Sequence, residues 1–339
     1  MLETETMTQD VRSRQDGPRI NGGAPKSTST TTTTTTTEIT APAASAPDAP
    51  RDAPPVARCS GHARTLPEIC YTLRRKVIAF LDDQTDDKVL RCTQDQARIS
   101  MGVIEEALGR YEPEELSLAY NGGKDCLVLL ILILACLPAP SSPAFASASA
   151  SSTIPPSTPA RDLAAPLSTS LPQAHTRSST PQPLQAIYIA PPDPFPEVED
   201  FVAITTKEYH LDLARYALPM RPALEAYLGD RIAVKAVFMG TRRTDPHSEF
   251  LEHFSPTDKD WPQFVRINPI IDWHYAEIWA FIRSLDIPFC SLYDQGFSSL
   301  GGVSNTRPNP ALALDADAKT FRPAYQLVRD DEERLGRDR

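Results

Sequence analysis

The chain has 339 residues, 33 of them proline, and a formal net charge of −10. That balance argues against a general nucleic-acid surface, which wants a basic patch, although a local basic pocket for phosphates stays compatible with it. The six cysteines (Cys59, Cys70, Cys92, Cys126, Cys136 and Cys290) form no CxxC pair and no metal-ligand spacing, so reduced thiols in a cytoplasmic protein are the simplest expectation.

Residues 1–64 contain a Ser/Thr run and then an Ala/Pro-rich stretch. Such a composition buries too little apolar surface to offset its ordering entropy, so a solvated tail is expected there. No N-terminal apolar segment suggests a secretory leader, and Glu3, Glu5 and Asp10 count against a transit peptide despite Arg12, Arg14 and Arg19. Helical periodicity starts near Leu66, with Ile69, Leu73, Val77 and Phe80 at spacings of three and four. A second amphipathic segment spans about Asp87 to Tyr111. Both are expected to be structural helices at the edge of the domain.

Leu116–Tyr120 then reads as a strand running into Asn121-Gly-Gly-Lys-Asp-Cys126 and an apolar run to Leu137. The run is far shorter than the ~20 residues of a membrane span, so it is expected as a helix buried on all sides. A strand that turns at Gly-Gly and restarts as a helix directs backbone N–H groups and the positive end of the helix dipole at one point, which suits phosphate. Gly122 and Gly123 permit close approach, and Lys124 adds a cation. The common pattern G-x-x-x-x-G-K-[ST] is absent, and the same residues also suit a plain surface turn.

Residues 138–184 are Ser, Ala, Pro and Thr, and read as an insert at a surface connection, where closure cost grows slowly with length. The alternation resumes with a strand at Gln185–Ala190, a helix from Pro194 to about Tyr209, a strand at Leu211–Tyr216 and a helix at Arg221–Leu228. A buried strand at Ala233–Gly240, a strand at Phe264–Asn268 and an amphipathic helix at Trp273–Leu285 follow, with Asp272 as its expected N-cap. This order predicts an α/β fold, a mostly parallel twisted sheet with helices on both faces plus N-terminal helices. Ligands then bind beyond the carboxyl ends of the strands. Asn121–Cys126, Ala190–Pro196 and Gly240–Pro246 should therefore converge, bringing glycines, cations and carboxylates together.

Four separated motifs occur in this order: Asn121-Gly-Gly-Lys-Asp-Cys126, Gly240-Thr-Arg-Arg-Thr-Asp-Pro246, Ile267-Asn-Pro-Ile-Ile-Asp-Trp273 and Tyr293-Asp-Gln-Gly-Phe-Ser-Ser-Leu-Gly-Gly302. Together they resemble the eukaryotic, fungal-type FAD synthases (FMN adenylyltransferases) of the PAPS reductase-like superfamily, over about residues 65–137 and 185–337. The resemblance implies an adenine nucleotide alpha hydrolase-like, Rossmann-like fold and the reaction FMN + ATP → FAD + pyrophosphate with Mg²⁺. The superfamily's more usual loop is Ser-Gly-Gly-x-Asp-Ser, and Asn121 and Cys126 at the Ser positions match the FAD-synthase version.

On that resemblance, Gly122, Gly123 and Lys124 hold the leaving phosphates, while Asn121 and Asp125 fix the loop and orient the metal or the α-phosphate. Asp125 is the one metal-ligand candidate; a plain helix N-terminal carboxylate is its alternative. Tyr120 and Ile189 would line the adenine slot or simply be core. The resemblance puts Arg243 and Asp245 at the reacting centre, with a surface salt bridge as the bland alternative, and gives Arg334 and Arg337 the role of arginine fingers. It further assigns Cys126, Asp193, Gly240, Thr241, Arg242, Ser299, Leu300, Gly301 and Arg322 to nucleotide and flavin binding. Trp273 and Trp279 are expected in the core. A PAPS reductase would need a cysteine in its C-terminal tail, and none follows Cys290. A tRNA-modifying ligase would want a basic face, and a silent flavin- or nucleotide-binding module is the non-enzymatic alternative. The expected protein is a cytoplasmic monomer acting on ATP and FMN, with no nucleic-acid or membrane partner.

Overall fold

The computed structural model describes residues 64–137, 181–315, 317 and 319–338. Almost all of the expected tail and of the expected insert lies outside those residues. The helices are α1 (Leu66–Asp82), α2 (Lys88–Arg110), α3 (Lys124–Cys136), α4 (Pro196–Glu208), α5 (Met220–Asp230) and α6 (Tyr275–Ser284). The strands are β1 (Leu116–Ala119), β2 (Gln185–Ile189), β3 (Asp212–Tyr216), β4 (Ala236–Phe238), β5 (Phe254–Pro256) and β6 (Val265–Ile267).

They form one sheet in the order β3-β2-β1-β4-β6-β5. Every pairing is parallel except β5 with β6. From β1 the chain winds outward to β2 and β3, then returns to add β4 on the other side. The switch point therefore falls between β1 and β4, where a parallel sheet opens its ligand crevice.

Strand alternation sorts the side chains into two cores. Leu118, Tyr120, Tyr188 and Phe238 face the larger one, with α1, α2, α3 and α6, whereas Ala119, Ile187 and Val237 face the smaller one with Leu224 and Tyr227 of α5. Helices thus cover both faces. The α1 and α2 helices pack over α3 instead of at the domain edge, making a third layer. That explains an apolar run without an amphipathic period: all residues of α3, Lys124 and Asp125 included, are buried. Every side chain from Leu127 to Leu134 has zero exposure. At roughly 1.5–3 kcal/mol per buried aliphatic side chain, this burial outweighs any surface pair and fixes where the N-terminus of α3 must lie.

Two local expectations are corrected. The edge strand β5 was not foreseen, because three residues ending in Pro256 carry no alternation, and proline is tolerated only where no ladder donor is needed. The N-cap of α6 is His274, with Glu277 completing a capping box. Asp272 is instead paired with Arg243 at 2.6 Å. Trp273 and Trp279 are core residues, 1% and 2% exposed.

Candidate active site

The loop between β1 and α3 is built around Gly122, whose φ of +72° lies in the left-handed region. An added Cβ there would also meet Val202 Cγ2 at 2.8 Å, so glycine is required for both reasons. The Gly123 N–H donates to Asn121 Oδ1 at 2.9 Å, and the Lys124 N–H donates to the Tyr293 hydroxyl at 2.8 Å. The Cys126 thiol lies 2.9 Å from Asn121 Oδ1. Asn121 and Cys126, the two departures from the usual serine loop, are therefore partners of each other. Burial pushes the Cys126 thiol's pKa up, which keeps it a neutral donor.

Beneath this turn sits a buried ion cluster. Lys124 Nζ is 2.9 Å from Asp125 Oδ2, and Arg242 Nε is 2.9 Å from Asp125 Oδ1. The second contact is close enough for charge but poorly angled, and neither atom makes a hydrogen bond among the described residues. Glu333 closes the cluster, one oxygen on Lys124 Nζ and the other on Arg242 Nη2. Asp330 Oδ1 stands 3.6 Å from Arg242 Nη1, and the Tyr275 ring faces Lys124 Nζ at 5.0 Å. Burial alone would raise the Asp125 pKa, but the flanking Arg242 and Lys124 charges outweigh it and hold the group down to about 2. Burial would lower the Lys124 and Arg242 values, yet Asp125 and Glu333 raise both, so the two cations stay charged.

Both Asp125 oxygens face cations inside the protein, so Asp125 does not fit as a Mg²⁺ ligand. Among the described residues, no group of three or more His, Cys, Asp or Glu side chains is arranged to hold a metal ion.

The loop after β4 meets the α3 terminus directly. A Cβ on Gly240 would come within 2.9 Å of the Cys126 backbone nitrogen, so Gly240 is there to let two backbones touch. Thr241 is half-buried beside it, and Asp245 Oδ2 accepts the Arg242 N–H at 2.9 Å. Burial raises the Asp245 pKa. Arg242 and Arg243 point opposite ways. Arg242 is fully buried in the cluster, whereas the Arg243 side chain is 39% exposed, pairs with Asp272, and donates to the carbonyls of Glu249 and Leu251. Of the two neighbouring arginines, the structure thus brings Arg242 to the cluster at the α3 terminus and turns Arg243, expected at the reacting centre, to the other side of the loop.

Tyr120 and Ile189 do not meet. Tyr120 is buried in the larger core with its hydroxyl on Thr205 Oγ1 at 2.8 Å, and Ile189 packs on the smaller core across the sheet. Asp193 secures the segment opposite the loop: its carbonyl accepts the Val303 N–H at 2.8 Å and its carboxylate accepts the Ser304 N–H at 2.6 Å. A cavity at the mouth is lined by Asn121, Gly123 and Cys126 on one side and by Tyr293, Ser299 and Leu300 on the other. Gly301 packs against the Arg337 guanidinium, whose Nη1 donates to the Leu300 carbonyl at 2.8 Å. Arg334 is half-buried in the turn after Glu333. Arg322 Nη2 donates to the Ala311 carbonyl at 2.8 Å.

Glu333, Asp330, Tyr275 and the Tyr293 hydroxyl escaped the sequence reading. Tyr293 lies inside one of the four motifs, so its position was available. Glu333 sits in a run of charges that reads as solvated, and only tertiary contact reveals its burial.

A parallel sheet whose first strand turns through Gly-Gly into a buried helix at the switch point, backed by two buried cations, defines an α/β phosphate-loop protein. The phosphoadenosine phosphosulfate reductase domain family matches residues 215–308. A probable FAD synthase of Schizosaccharomyces pombe is 37% identical over 245 residues, 72% of this chain and 80% of that protein. One from Caenorhabditis elegans is 33% identical over 69% of this chain but only 39% of its own length. The structure of Candida glabrata FMN adenylyltransferase in complex with FAD and inorganic pyrophosphate superposes with a TM-score of 0.66 at 27% identity, covering 81% of this chain and 97% of that one. The chain belongs to the FAD synthase family.

Proposed function

We propose that this chain is an FMN adenylyltransferase, joining FMN to the adenylyl group of ATP and releasing pyrophosphate. The observation that carries this reading is the Asn121–Cys126 turn at the switch point between β1 and β4, with Arg242 drawn in from the β4 loop. The FMN phosphate attacks the α-phosphorus of ATP in line, and the α–β bridging oxygen leaves with pyrophosphate. No covalent enzyme intermediate is required, so the protein contributes position and charge.

In this scheme the backbone N–H groups at the head of α3, with Gly122 and Gly123 allowing close approach, cradle the β- and γ-phosphates. Lys124 and Arg242 stand behind that cradle, their charges balanced by Asp125 and Glu333. Asp125 holds those two cations in place. Ser299, Leu300 and Gly301 line the flavin side of the mouth, with Asp193 fixing their loop. Arg334 and Arg337 lie on the segment nearest that loop and would neutralise charge developing on the transferred group. Mg²⁺ would enter with ATP as part of the substrate and would offset the charge of its phosphates. Thiol chemistry of the PAPS-reductase kind fits less well, because Cys126 is buried and held neutral.

Among the described residues no helix is long and apolar enough to cross a membrane. We read the enzyme as a cytoplasmic monomer with small-molecule substrates and no nucleic-acid partner, consistent with its net charge of −10. Incubating the protein with FMN, Mg-ATP and pyrophosphatase should yield FAD, resolved from FMN by chromatography with fluorescence detection. A folded protein that binds ATP yet forms no FAD overturns the assignment.

A further inference from the structure

Glu333 is 3% exposed, although it lies in a segment composed mostly of charged residues beyond the last helix. Its two oxygens are divided between Lys124 of the phosphate loop and Arg242 of the β4 loop. Those cations would otherwise share only Asp125 as a close, fully buried counter-charge, leaving an excess positive charge in a dry site. Asp245 faces the same cluster from the β4 loop, and Asp330 faces it from the C-terminal segment.

The main chain around Glu333 is fastened separately. The Ser298 hydroxyl donates to the Glu333 carbonyl at 2.6 Å, and Asn309 Nδ2 donates to the Glu332 carbonyl at 2.7 Å. One turn earlier, the Asp330 carboxylate accepts the Tyr275 N–H at 2.6 Å and contacts His274 Nδ1 at 2.7 Å, sealing the head of α6. Arg337 then reaches Leu300. A segment carrying two arginines is thus tied down on both sides of them, and the tie reaches the two cations behind the phosphate loop.

We propose that Glu333 is a positioning residue that sets the C-terminal arginines and the phosphate-loop cations in one register. The inference rests on the phosphate-loop reading above. Glu333 stays in place when nucleotide binds; it is a clasp and does not vacate its position to admit the triphosphate. Breaking the clasp lets residues 330–337 shift relative to the loop, and a displacement near 1 Å at a reacting centre can cost about a hundredfold in rate.

The test uses the full chain with Glu333→Gln, Glu333→Asp and Ser298→Ala, assayed for FAD formation against ATP and FMN concentration, alongside amide hydrogen exchange of residues 329–338. The expected result for Glu333→Gln is a fall in kcat approaching about a hundredfold, with the KM for ATP changed by less than about threefold. Exchange across 330–337 should quicken, and Glu333→Asp should restore part of the rate. Ser298→Ala, which keeps every charge, should quicken exchange in the same segment and lower kcat more modestly, so the clasp remains testable if Glu333→Gln folds poorly. Tighter ATP binding with undiminished kcat in Glu333→Gln would instead identify a carboxylate that occupies the phosphate's place, and would overturn the proposal. Unchanged kcat together with unchanged exchange would overturn it equally. If the wild-type protein forms no FAD, the functional assignment fails, while the exchange readout still decides whether Glu333 holds the segment.

Discussion

The α3 helix and the C-terminal segment 291–338 face each other across the same cavity, yet they are held by opposite means. The body of α3 is aliphatic and buried on every side, so its position is set by non-directional packing. Among its described residues, the segment 291–338 has only short 3₁₀ turns and isolated bridges, and is pinned by side chains such as Ser298, Asn309 and Asp330 bonding to backbone. Packing tolerates small shifts without losing the element, whereas a directional bond is lost once its angle fails. The difference teaches that the α3 side is a packed platform and the facing side an assembly of individually breakable ties.

Asp125 anchors the α3 side of the ion cluster, pairing with Lys124 and Arg242, and changing it should produce the largest effect. Asp125→Asn removes the charge shared by Lys124 and Arg242, and breaking a buried pair costs about 3–5 kcal/mol. FAD formation should drop at least about a hundredfold, and urea denaturation should show the stability loss. Wild-type activity in this variant would separate the cluster from function. The same variant probes the acid limb. With a folded pKa near 2 against an ordinary 3.8, Asp125 stabilises the fold above about pH 4, and that contribution is lost as pH falls through about 2. Asp245, raised by burial, acts in the opposite sense and loses its contribution as pH rises through its folded value. The fall in Tm between about pH 4 and 2 should therefore be flatter in Asp125→Asn than in wild type.

A paired substitution sharpens the contrast next. Leu130→Ala in α3 should cost about 2–5 kcal/mol of global stability, read by denaturant titration, because a fully buried side chain leaves a cavity. Asn309→Ala, also at a fully buried position, should cost about 1–3 kcal/mol and act locally, opening residues 329–338 to hydrogen exchange while α3 stays protected. Equal exchange in both regions of Asn309→Ala would show that platform and ties unfold together. The smallest effect belongs to Arg243→Ala. Its pair with Asp272 is half-exposed and worth less than about 1 kcal/mol, so turnover should change by no more than about threefold. A larger loss would return Arg243 to the reacting centre.

Much of the platform was legible in the sequence. The Gly-Gly turn, the unbroken apolar run and the alternation of strands and helices each follow from local chemistry, and they located α3, the parallel sheet and the loops after β1 and β4. The short edge strand at Phe254–Pro256 was not legible, since its partner and not its own pattern makes it a strand. Nor was the choice between Arg242 and Arg243, because adjacent residues in a loop share a sequence context and differ only in direction.

By itself, then, the sequence determined the order of elements except the edge strand β5, the Gly-Gly turn and the family, since these depend on spacing and on the conformational needs of single residues such as Gly122. Only the tertiary structure decided that Glu333 is buried, that Asp125 pairs with both Lys124 and Arg242, and that Tyr120 and Ile189 lie on opposite faces of the sheet. The reason is physical: a charge's role depends on what surrounds it in space, and Glu333 lies 209 residues along the chain from the lysine it neutralises.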